Sequence, residues 1–234
     1  MRWGVAVFPG SCDDDDVVHC LREVLGQDVR TLWHKDRFDG DCDGVVLPGG
    51  FSYGDYLRAG AMARFSPVMQ GIVEFARAGG LVLGICNGFQ ILCESGLLPG
   101  ALTRNASLRF VCRRVFLRVE DNRSPFTRLA HPGELLEMPV KHGEGRYHAD
   151  GPTLIELNDN GQILLRYADA AGEVTEEANP NGSVDGIAGI CNRRRNVFGL
   201  MPHPEDATEA VLGGESGLKI FSSMMDEVRR GSGL

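Results

Sequence analysis

Short apolar runs alternate with segments of helical periodicity through the first half of the chain. Valines and leucines recur at helical spacing over 13–26, and a second helix is predicted over 61–78. The apolar runs around these segments predict strands at 3–8, 28–33, 44–47 and 80–85. Strands that alternate with helices indicate a parallel, doubly wound α/β sheet. In such sheets, ligands bind beyond the carboxyl ends of the strands.

The second half of the chain has a less regular pattern. Short strands are predicted at 108–119, 135–140, 153–157, 162–167, 186–191 and 196–201. The turn-rich segment 168–185 predicts a long surface connection, and 219–230 predicts a closing helix. Because no repeat, low-complexity tract or linker interrupts the pattern, we expect a single domain over 1–234. Its mostly parallel sheet would be flanked by helices, with extra short strands in the second half.

Composition narrows the class of protein. The formal net charge of −8 disfavours a nucleic-acid groove, which needs clustered basic residues. No apolar run approaches the ~18 residues that a membrane-spanning helix needs, and the first residues carry no signal-peptide cleavage pattern. The 7 cysteines include no C-x-x-C pair, so neither a zinc site nor a disulfide framework is indicated. Reduced thiols in the cytoplasm fit this pattern best.

The strand predicted at 80–85 ends abruptly at the motif GICNG, and helix-compatible residues follow. This is a G-x-C-x-G nucleophile elbow, in which small residues leave room for a tight strand-to-helix turn. The turn lifts Cys86 out of the sheet and places its sulfur at a helix N-terminus, where the thiolate is favoured. A buried structural cysteine is the alternative, and the flanking Gly84 and Gly88 argue against it.

A cysteine nucleophile needs a base, and the base needs an orienting group. His203 follows the strand at 196–201 and stands between two prolines, which hold it extended. Glu205 projects to the same side of an extended segment and can bond one ring nitrogen. We therefore predict a triad of Cys86, His203 and Glu205. His142 is the rival base, but its neighbouring glycines predict a mobile loop that suits gating or contact.

Acyl transfer also needs hydrogen-bond donors for the developing oxyanion. The elbow supplies the N–H of Asn87, the residue after the nucleophile. A second donor is expected from the loop 47–55, whose paired glycines let its backbone approach a ligand closely. The residues predicted to bind the oxyanion or the substrate are Gly49, Gly50, Phe51, Asn87 and Gln90.

Four consecutive aspartates, at 13–16, stand at the start of the first predicted helix. Negative charge is favoured there by the helix dipole. A cation site is the alternative interpretation, which is weakened because adjacent residues on a helix face apart. The sequence therefore predicts no metal site.

Taken together, these residues resemble the class I glutamine amidotransferases, and most specifically the glutaminase subunit of phosphoribosylformylglycinamidine synthase. The resembling motifs run in order through nearly the whole chain: FPGS at 8–11, LPGGFSYGD at 47–55, GICNGFQ at 84–90, HGEGRY at 142–147, NPNGS at 179–183 and GLMPHPE at 199–205. One departure is visible. The family usually has Asn-Cys-Asp after the first Pro-Gly-Ser, whereas this chain has Cys12, Asp13 and Asp14. That departure concerns the first loop and not the triad.

The resemblance implies a flavodoxin-like fold and hydrolysis of glutamine to glutamate and ammonia through a thioester on Cys86. It further implies that ammonia passes to a large synthetase subunit, which converts formylglycinamide ribonucleotide to formylglycinamidine ribonucleotide in purine biosynthesis. ATP and Mg²⁺ are expected on that partner. Whether the complex also contains a small bridging subunit stays open. This chain has no nucleotide-binding motif, so we expect no cofactor in it, and no nucleic-acid or membrane partner.

Two alternatives stay open at this point. The chain could be the glutaminase subunit of another amidotransferase, which motifs alone do not fully separate. It could also be a cysteine-based stress or deglycating protein of the same architecture. Such proteins commonly place a histidine next to the elbow cysteine, where this chain has Asn87.

Overall fold

The computed structural model describes residues 1–232, which form alternating strands and helices. The strands are β1 Arg2–Val7, β2 Asp28–Trp33, β3 Gly44–Leu47, β4 Leu81–Ile85, β5 Ala101–Thr103, β6 Val111–Val119, β7 Leu135–His142, β8 Arg146–His148, β9 Ile163–Ala168, β10 Ile187–Cys191 and β11 Val197–Leu200. The helices are α1 Asp14–His19, α2 Pro67–Arg77, α3 Asn87–Glu94, α4 Gly151–Asp159 and α5 Leu218–Ser232, and α1 continues as a π-helical turn over Cys20–Val24. Within the described residues, none of the helices is long and apolar enough to span a membrane.

Nine of these strands form one sheet in the order β2-β1-β3-β4-β11-β10-β9-β6-β7. The pairings from β2 to β11 are parallel, and those from β11 to β7 are antiparallel. Every residue of β3 and β4 is buried, as parallel strands covered on both faces require. In β6 and β7, buried positions alternate with more open ones. The predicted fold class is confirmed, including the extra strands of the second half.

The strand predicted at 153–157 is wrong, because this segment belongs to α4. Asp150 caps that helix by accepting a hydrogen bond from the backbone N–H of Thr153 at 2.9 Å. Pro152 stands in the first turn, where its missing N–H costs nothing. Asp150 and Pro152 are thus helix-start signals, and the apolar residues that follow them belong to a helix.

The helix predicted over 61–78 begins only at Pro67. Ser66 is extended, with φ −68° and ψ 149°, because a residue before proline is excluded from the helical region. The residues before it form a short 3₁₀ turn, Ala63–Phe65. The sequence pattern also missed β5 and β8, two three-residue strands that pair with each other outside the main sheet.

Two neighbouring parallel strands position the predicted site. Leu200 of β11 is in register with Ile85 of β4, so the segments after both strands leave the same edge of the sheet. The backbone N–H of Cys86 donates to the carbonyl of Leu200 at 2.8 Å, which ties these segments together. Residues 86 and 203 therefore come from adjacent strand ends, as expected for a site at the carboxyl edge.

Candidate active site

Cys86 has the strained backbone of a nucleophile elbow. Its φ of 50° and ψ of −103° lie where non-glycine residues are rare, and α3 begins at the next residue. A Cβ on Gly88 would lie 2.0 Å from the carbonyl oxygen of Leu47, and one on Gly84 would lie 2.5 Å from Leu92. Both glycines are therefore needed for α3 to pack against the sheet, and the predicted turn is present.

The predicted base and its orienting carboxylate are in contact. Nδ1 of His203 lies 2.7 Å from Oε1 of Glu205, and both side chains are buried. The backbone N–H of His203 donates to the carbonyl of Pro139 at 2.9 Å, which fixes the segment against β7. Within the described residues, Nε2 of His203 is buried without a hydrogen-bond partner. One ring nitrogen is thus held and the other is available.

Opposing effects act on the pKa of His203. Burial lowers it, but the charge and hydrogen bond of Glu205, together with the influence of the neighbouring Cys86, outweigh burial, so the pKa is raised well above its ordinary value. Burial raises the pKa of Glu205, and the charge of His203 partly opposes that effect. The influence of Cys86 on the imidazole also means that the sulfur lies beside this ring. The arrangement favours an imidazolium next to the thiol.

A cleft of about 200 Å³ opens beside the sulfur. Cys86 lines this cleft and is only 5% exposed, and its Sγ lies 3.9 Å from the carbonyl oxygen of Lys141. The cleft is lined by Gly50, Phe51, Asp55, Cys86, Gln90, Phe110, Lys141, His142, Gly143 and Glu144. Burial and the charge of Glu144 raise the pKa of Asp55 to about 6. Three of the five residues predicted to bind the oxyanion or the substrate line this cleft.

Backbone donors stand at the two predicted positions. The N–H groups of Gly50 and Asn87 have no hydrogen-bond acceptor among residues 1–232, so both are available to a bound oxygen. The N–H of Phe51 instead donates to the carbonyl of Gly10 at 2.7 Å. Phe51 therefore contributes a half-exposed ring to the cleft and not a free donor.

Asn87 and Gln90 join three parts of the site through their side chains. Oδ1 of Asn87 accepts from the backbone N–H of Ser52 at 3.2 Å, and its Nδ2 donates to Oε1 of Gln90 at 2.8 Å. Nε2 of Gln90 then donates to the carbonyl of Glu144 at 2.6 Å. This chain of hydrogen bonds links the 49–55 loop, the elbow and the 143–145 turn.

His142 does not lie on a mobile loop, so that expectation is wrong. It is the last residue of β7 and is 3% exposed. Its Nδ1 lies 3.1 Å from Oδ1 of Asn105, and its Nε2 lies 3.4 Å from Nδ2 of Asn181. Burial, together with the charge of His203, lowers the pKa of His142 to about 4. Gly145 accommodates this ring, since a Cβ there would lie 2.4 Å from it.

Sequence reasoning missed an ion-pair network beside the base. Asp13 is buried, and its Oδ1 lies 2.7 Å from Nζ of Lys141, which also lies 2.8 Å from Oδ2 of Asp206. Oδ2 of Asp13 lies 3.6 Å from Nδ1 of His203. The departure from the family pattern at 12–14 marked this loop as unusual, but it did not distinguish Asp13 from the aspartates that follow it.

The same cluster brings together atoms of the kind that bind metals. One ligand-type atom from each of Asp13, His203 and Glu205 lies within 4.8 Å of the others. However, the ammonium of Lys141 already pairs with Asp13, and Nδ1 of His203 is bonded to Glu205. We interpret the cluster as an ion-pair network around the imidazole.

Comparisons with known proteins agree with the motifs. Residues 2–215 match the family model described as "CobB/CobQ-like glutamine amidotransferase domain". The chain is 58% identical over 227 residues to "Phosphoribosylformylglycinamidine synthase subunit PurQ" of Salinibacter ruber, covering 97% of each chain. It is 56% identical to the Moorella thermoacetica protein of the same name, covering 100% of this chain and 99% of that one. A chain in "Structure of PurLQS from Thermotoga maritima" superposes with a TM-score of 0.86 at 43% identity, covering 97% of this chain and 98% of that chain.

Proposed function

The chain belongs to the glutamine amidotransferase family, among the PurQ subunits of phosphoribosylformylglycinamidine synthase, and on that premise we propose how its site works. It is an enzyme with glutaminase activity. We propose that Cys86, His203 and Glu205 form its triad, and that one amidotransferase domain spans 1–234. One observation carries the proposal: the strained elbow cysteine is paired with the imidazole of His203, whose Nδ1 is hydrogen-bonded to Glu205 while its Nε2 has no hydrogen-bond partner among the described residues.

In the proposed reaction, the Cys86 thiolate attacks the side-chain amide carbon of glutamine. The N–H groups of Gly50 and Asn87 hold the oxyanion that forms on the carbonyl oxygen. His203 gives a proton to the departing ammonia, and the C–N bond breaks to leave a thioester on sulfur. His203 then takes a proton from water, which attacks the thioester and releases glutamate with the thiol restored.

Glu205 has an orienting role in this scheme. Its hydrogen bond to Nδ1 directs Nε2 toward the sulfur and stabilises the charged imidazole that forms during proton transfer. Gly49 belongs to the same site because its backbone brings Gly50 to the cleft. Asn87 and Gln90 hold the elbow against the two loops, and Phe51 forms part of the wall that a glutamine side chain would contact.

We propose that the ammonia serves a synthetase partner. The similar chain from Thermotoga maritima belongs to a structure named PurLQS, which supports a synthetase subunit as the partner. A small bridging subunit is a further part of the proposal. ATP and Mg²⁺ would bind to the large subunit, which would use them to convert formylglycinamide ribonucleotide to formylglycinamidine ribonucleotide. A cytoplasmic location, expected from the unpaired cysteines, is part of the same proposal.

The experiment that tests this function compares two nitrogen sources in the assembled complex. Cys86→Ala should abolish glutamine-dependent formation of the amidine product and leave ammonia-dependent formation largely intact, because free ammonia bypasses the elbow. Cys93→Ala is the matched control, since Cys93 lies on α3 with its sulfur 3.8 Å from the carbonyl of Pro99 and faces no reacting group. Normal glutamine-dependent turnover by Cys86→Ala would overturn the assignment.

A further inference from the structure

Asp13 occupies the position just before α1, yet it does not cap that helix. An aspartate at this position usually accepts a hydrogen bond from a backbone N–H of the first turn. The side chain of Asp13 makes no such bond. It is 7% exposed, and its two oxygens face Lys141 and His203. The carboxylate is thus directed into the site instead of toward the helix.

The backbone of this segment is fixed to the loop that carries the proposed oxyanion donor. The N–H groups of Cys12 and Asp13 both lie within bonding distance of the carbonyl of Gly49, at 3.2 and 3.4 Å. A Cβ on Gly49 would lie 2.2 Å from Oδ2 of Asp13 and 2.8 Å from Cε1 of His203. Asp13, Gly49 and the imidazole therefore pack against one another, so a shift of one displaces the others.

Two carboxylates consequently face the same ring nitrogen. Oε1 of Glu205 is hydrogen-bonded to Nδ1 at 2.7 Å, and Oδ2 of Asp13 lies 3.6 Å from Nδ1, outside hydrogen-bond range but well inside that of a charge interaction. Lys141 holds the other oxygen of Asp13 and shares its ammonium with Asp206. This pairing holds the carboxylate of Asp13 in place while leaving Oδ2 directed at the ring.

We infer that Asp13 is a second positioning carboxylate for His203, which shares with Glu205 the orientation of the imidazole and the stabilisation of its charged form. This inference rests on the function proposed above. Asp13 is not among the residues that line the cleft beside the sulfur, so it acts through the ring. Its charge acts on His203 together with that of Glu205 and is offset in part by Lys141. Cys86 and the neutral His142 are the other titratable groups that interact with the ring.

The substitution Asp13→Asn separates charge from shape. The lysine ammonium only donates hydrogen bonds, so the amide oxygen would turn toward Lys141 and its NH₂ group would face the imidazole. The fold should be preserved, because Lys141 keeps both partners. Asp15→Asn is the matched control, since Asp15 lies in the same first turn and is exposed.

The test is a double-mutant cycle in the assembled complex, read as glutamate release. We expect Asp13→Asn alone to lower kcat about threefold and Glu205→Gln alone about tenfold, since each leaves one anion beside the ring. The double variant should lose well over the product of these factors, on the order of several hundredfold, because no anion remains. Asp15→Asn should match the unsubstituted protein. Losses that simply multiply would overturn the inference.

The pH profile supplies a readout that packing alone would not move. Removing an anion destabilises the imidazolium, so the basic limb of kcat/KM for glutamine should shift to lower pH in Asp13→Asn, by about half a unit given the offset from Lys141. Asp13→Glu should restore the limb at least partly. An unshifted limb with lower amplitude would mean that Asp13 is only structural. Full glutamate release by Cys86→Ala would instead overturn the proposed function itself, so the two failures are distinguishable.

Discussion

A Cβ atom added to Gly49 would lie 2.8 Å from Cε1 of His203. This is closer than side-chain carbons approach one another, so the loop after β3 reaches the proposed base only because residue 49 has no side chain. The two adjacent glycines of this loop have different roles. Gly49 gives room to the imidazole, and Gly50, which lines the cleft, has a φ of +136° that L side chains rarely adopt.

We therefore expect Gly49→Ala to remove nearly all glutaminase activity while the protein stays folded. The added methyl group would displace both the imidazole and the carboxylate of Asp13, and a misplacement of about 1 Å costs on the order of a hundredfold in rate. The measurement is glutamate release, with circular dichroism as the check on folding. Gly151→Ala is the control, because a Cβ there meets nothing within 4 Å. Activity within about threefold of normal in Gly49→Ala would contradict the packing argument.

The strained backbone at Cys86 predicts an opposition between stability and activity. A non-glycine residue at φ 50° and ψ −103° costs about 1–3 kcal/mol, whereas glycine adopts the mirror-image region freely. Cys86→Gly should therefore unfold at a higher denaturant concentration than Cys86→Ala, although both lack the nucleophile. Equal midpoints in urea for the two variants would mean that the turn stores no strain.

The elbow shows how far sequence alone reaches. The strand before Cys86, the helix after it and the small residues on either side are local features, which can be predicted from the sequence alone. The His-x-Glu pair was predicted from an extended segment, in which residues two apart project together. The pair is present, but that reason is wrong, because Pro204 has helical φ and ψ and Glu205 begins a 3₁₀ turn over Glu205–Ala207. The parallel character of the sheet's first half followed from the alternation of strands and helices, and the structure confirms it, whereas the order of the strands was not predicted.

What sequence could not predict depends on contacts between distant segments. Asp13 and Lys141 are 128 positions apart, and nothing in the aspartate run distinguishes Asp13 from its neighbours. Gly143 and Gly145 predicted a mobile loop after His142, because the use of Gly145 to make room for a buried ring depends on the tertiary fold. The strand predicted in α4 was a different kind of error, since the cap Asp150 and Pro152 were visible in the sequence.

The buried state of His142 predicts a loss of stability in acid. Its pKa of about 4 in the folded protein lies below the ordinary value of 6.5, so the unfolded chain binds the proton first as pH falls. Stability from this group is complete above about pH 6.5 and is lost progressively toward pH 4, by at most about 3 kcal/mol. The measurement is the free energy of unfolding of the protein and of His142→Asn at about pH 7 and about pH 4.5. The variant should lose less stability between the two.

His142→Asn also tests the choice of base. Because His142 is neutral and its contacts are to Asn105 and Asn181, the variant should keep Cys86 reactive toward iodoacetamide and should still form the thioester. His203→Ala should abolish thioester formation almost as fully as the loss of Cys86, since members of a triad act as a unit. The reverse result would identify His142 as the base.

The hydrogen bonds of Asn87 and Gln90 suggest how a partner could control the rate. They tie the elbow to the 49–55 loop and to the 143–145 turn, and both of these segments border the mouth of the cleft. The 49–55 loop and the residues just beyond it contain three non-glycine residues with positive φ, namely Tyr53, Asp55 and Leu57. A subunit that docks here would act on segments bonded directly to the nucleophile's helix.

We expect the isolated chain to hydrolyse glutamine slowly and the synthetase, loaded with substrate and nucleotide, to accelerate it. A tenfold acceleration requires the partner to bind the competent arrangement about tenfold more tightly than the idle one, or about 1.4 kcal/mol. Glutamate release at saturating glutamine, measured against partner concentration, gives this factor. Gln90→Met should reduce the acceleration more than it reduces the rate of the lone chain, because it cuts the bond from α3 to the carbonyl of Glu144. A lone chain that is fully active and unchanged by the partner would refute the coupling, since no conformational difference would then be left for docking to select.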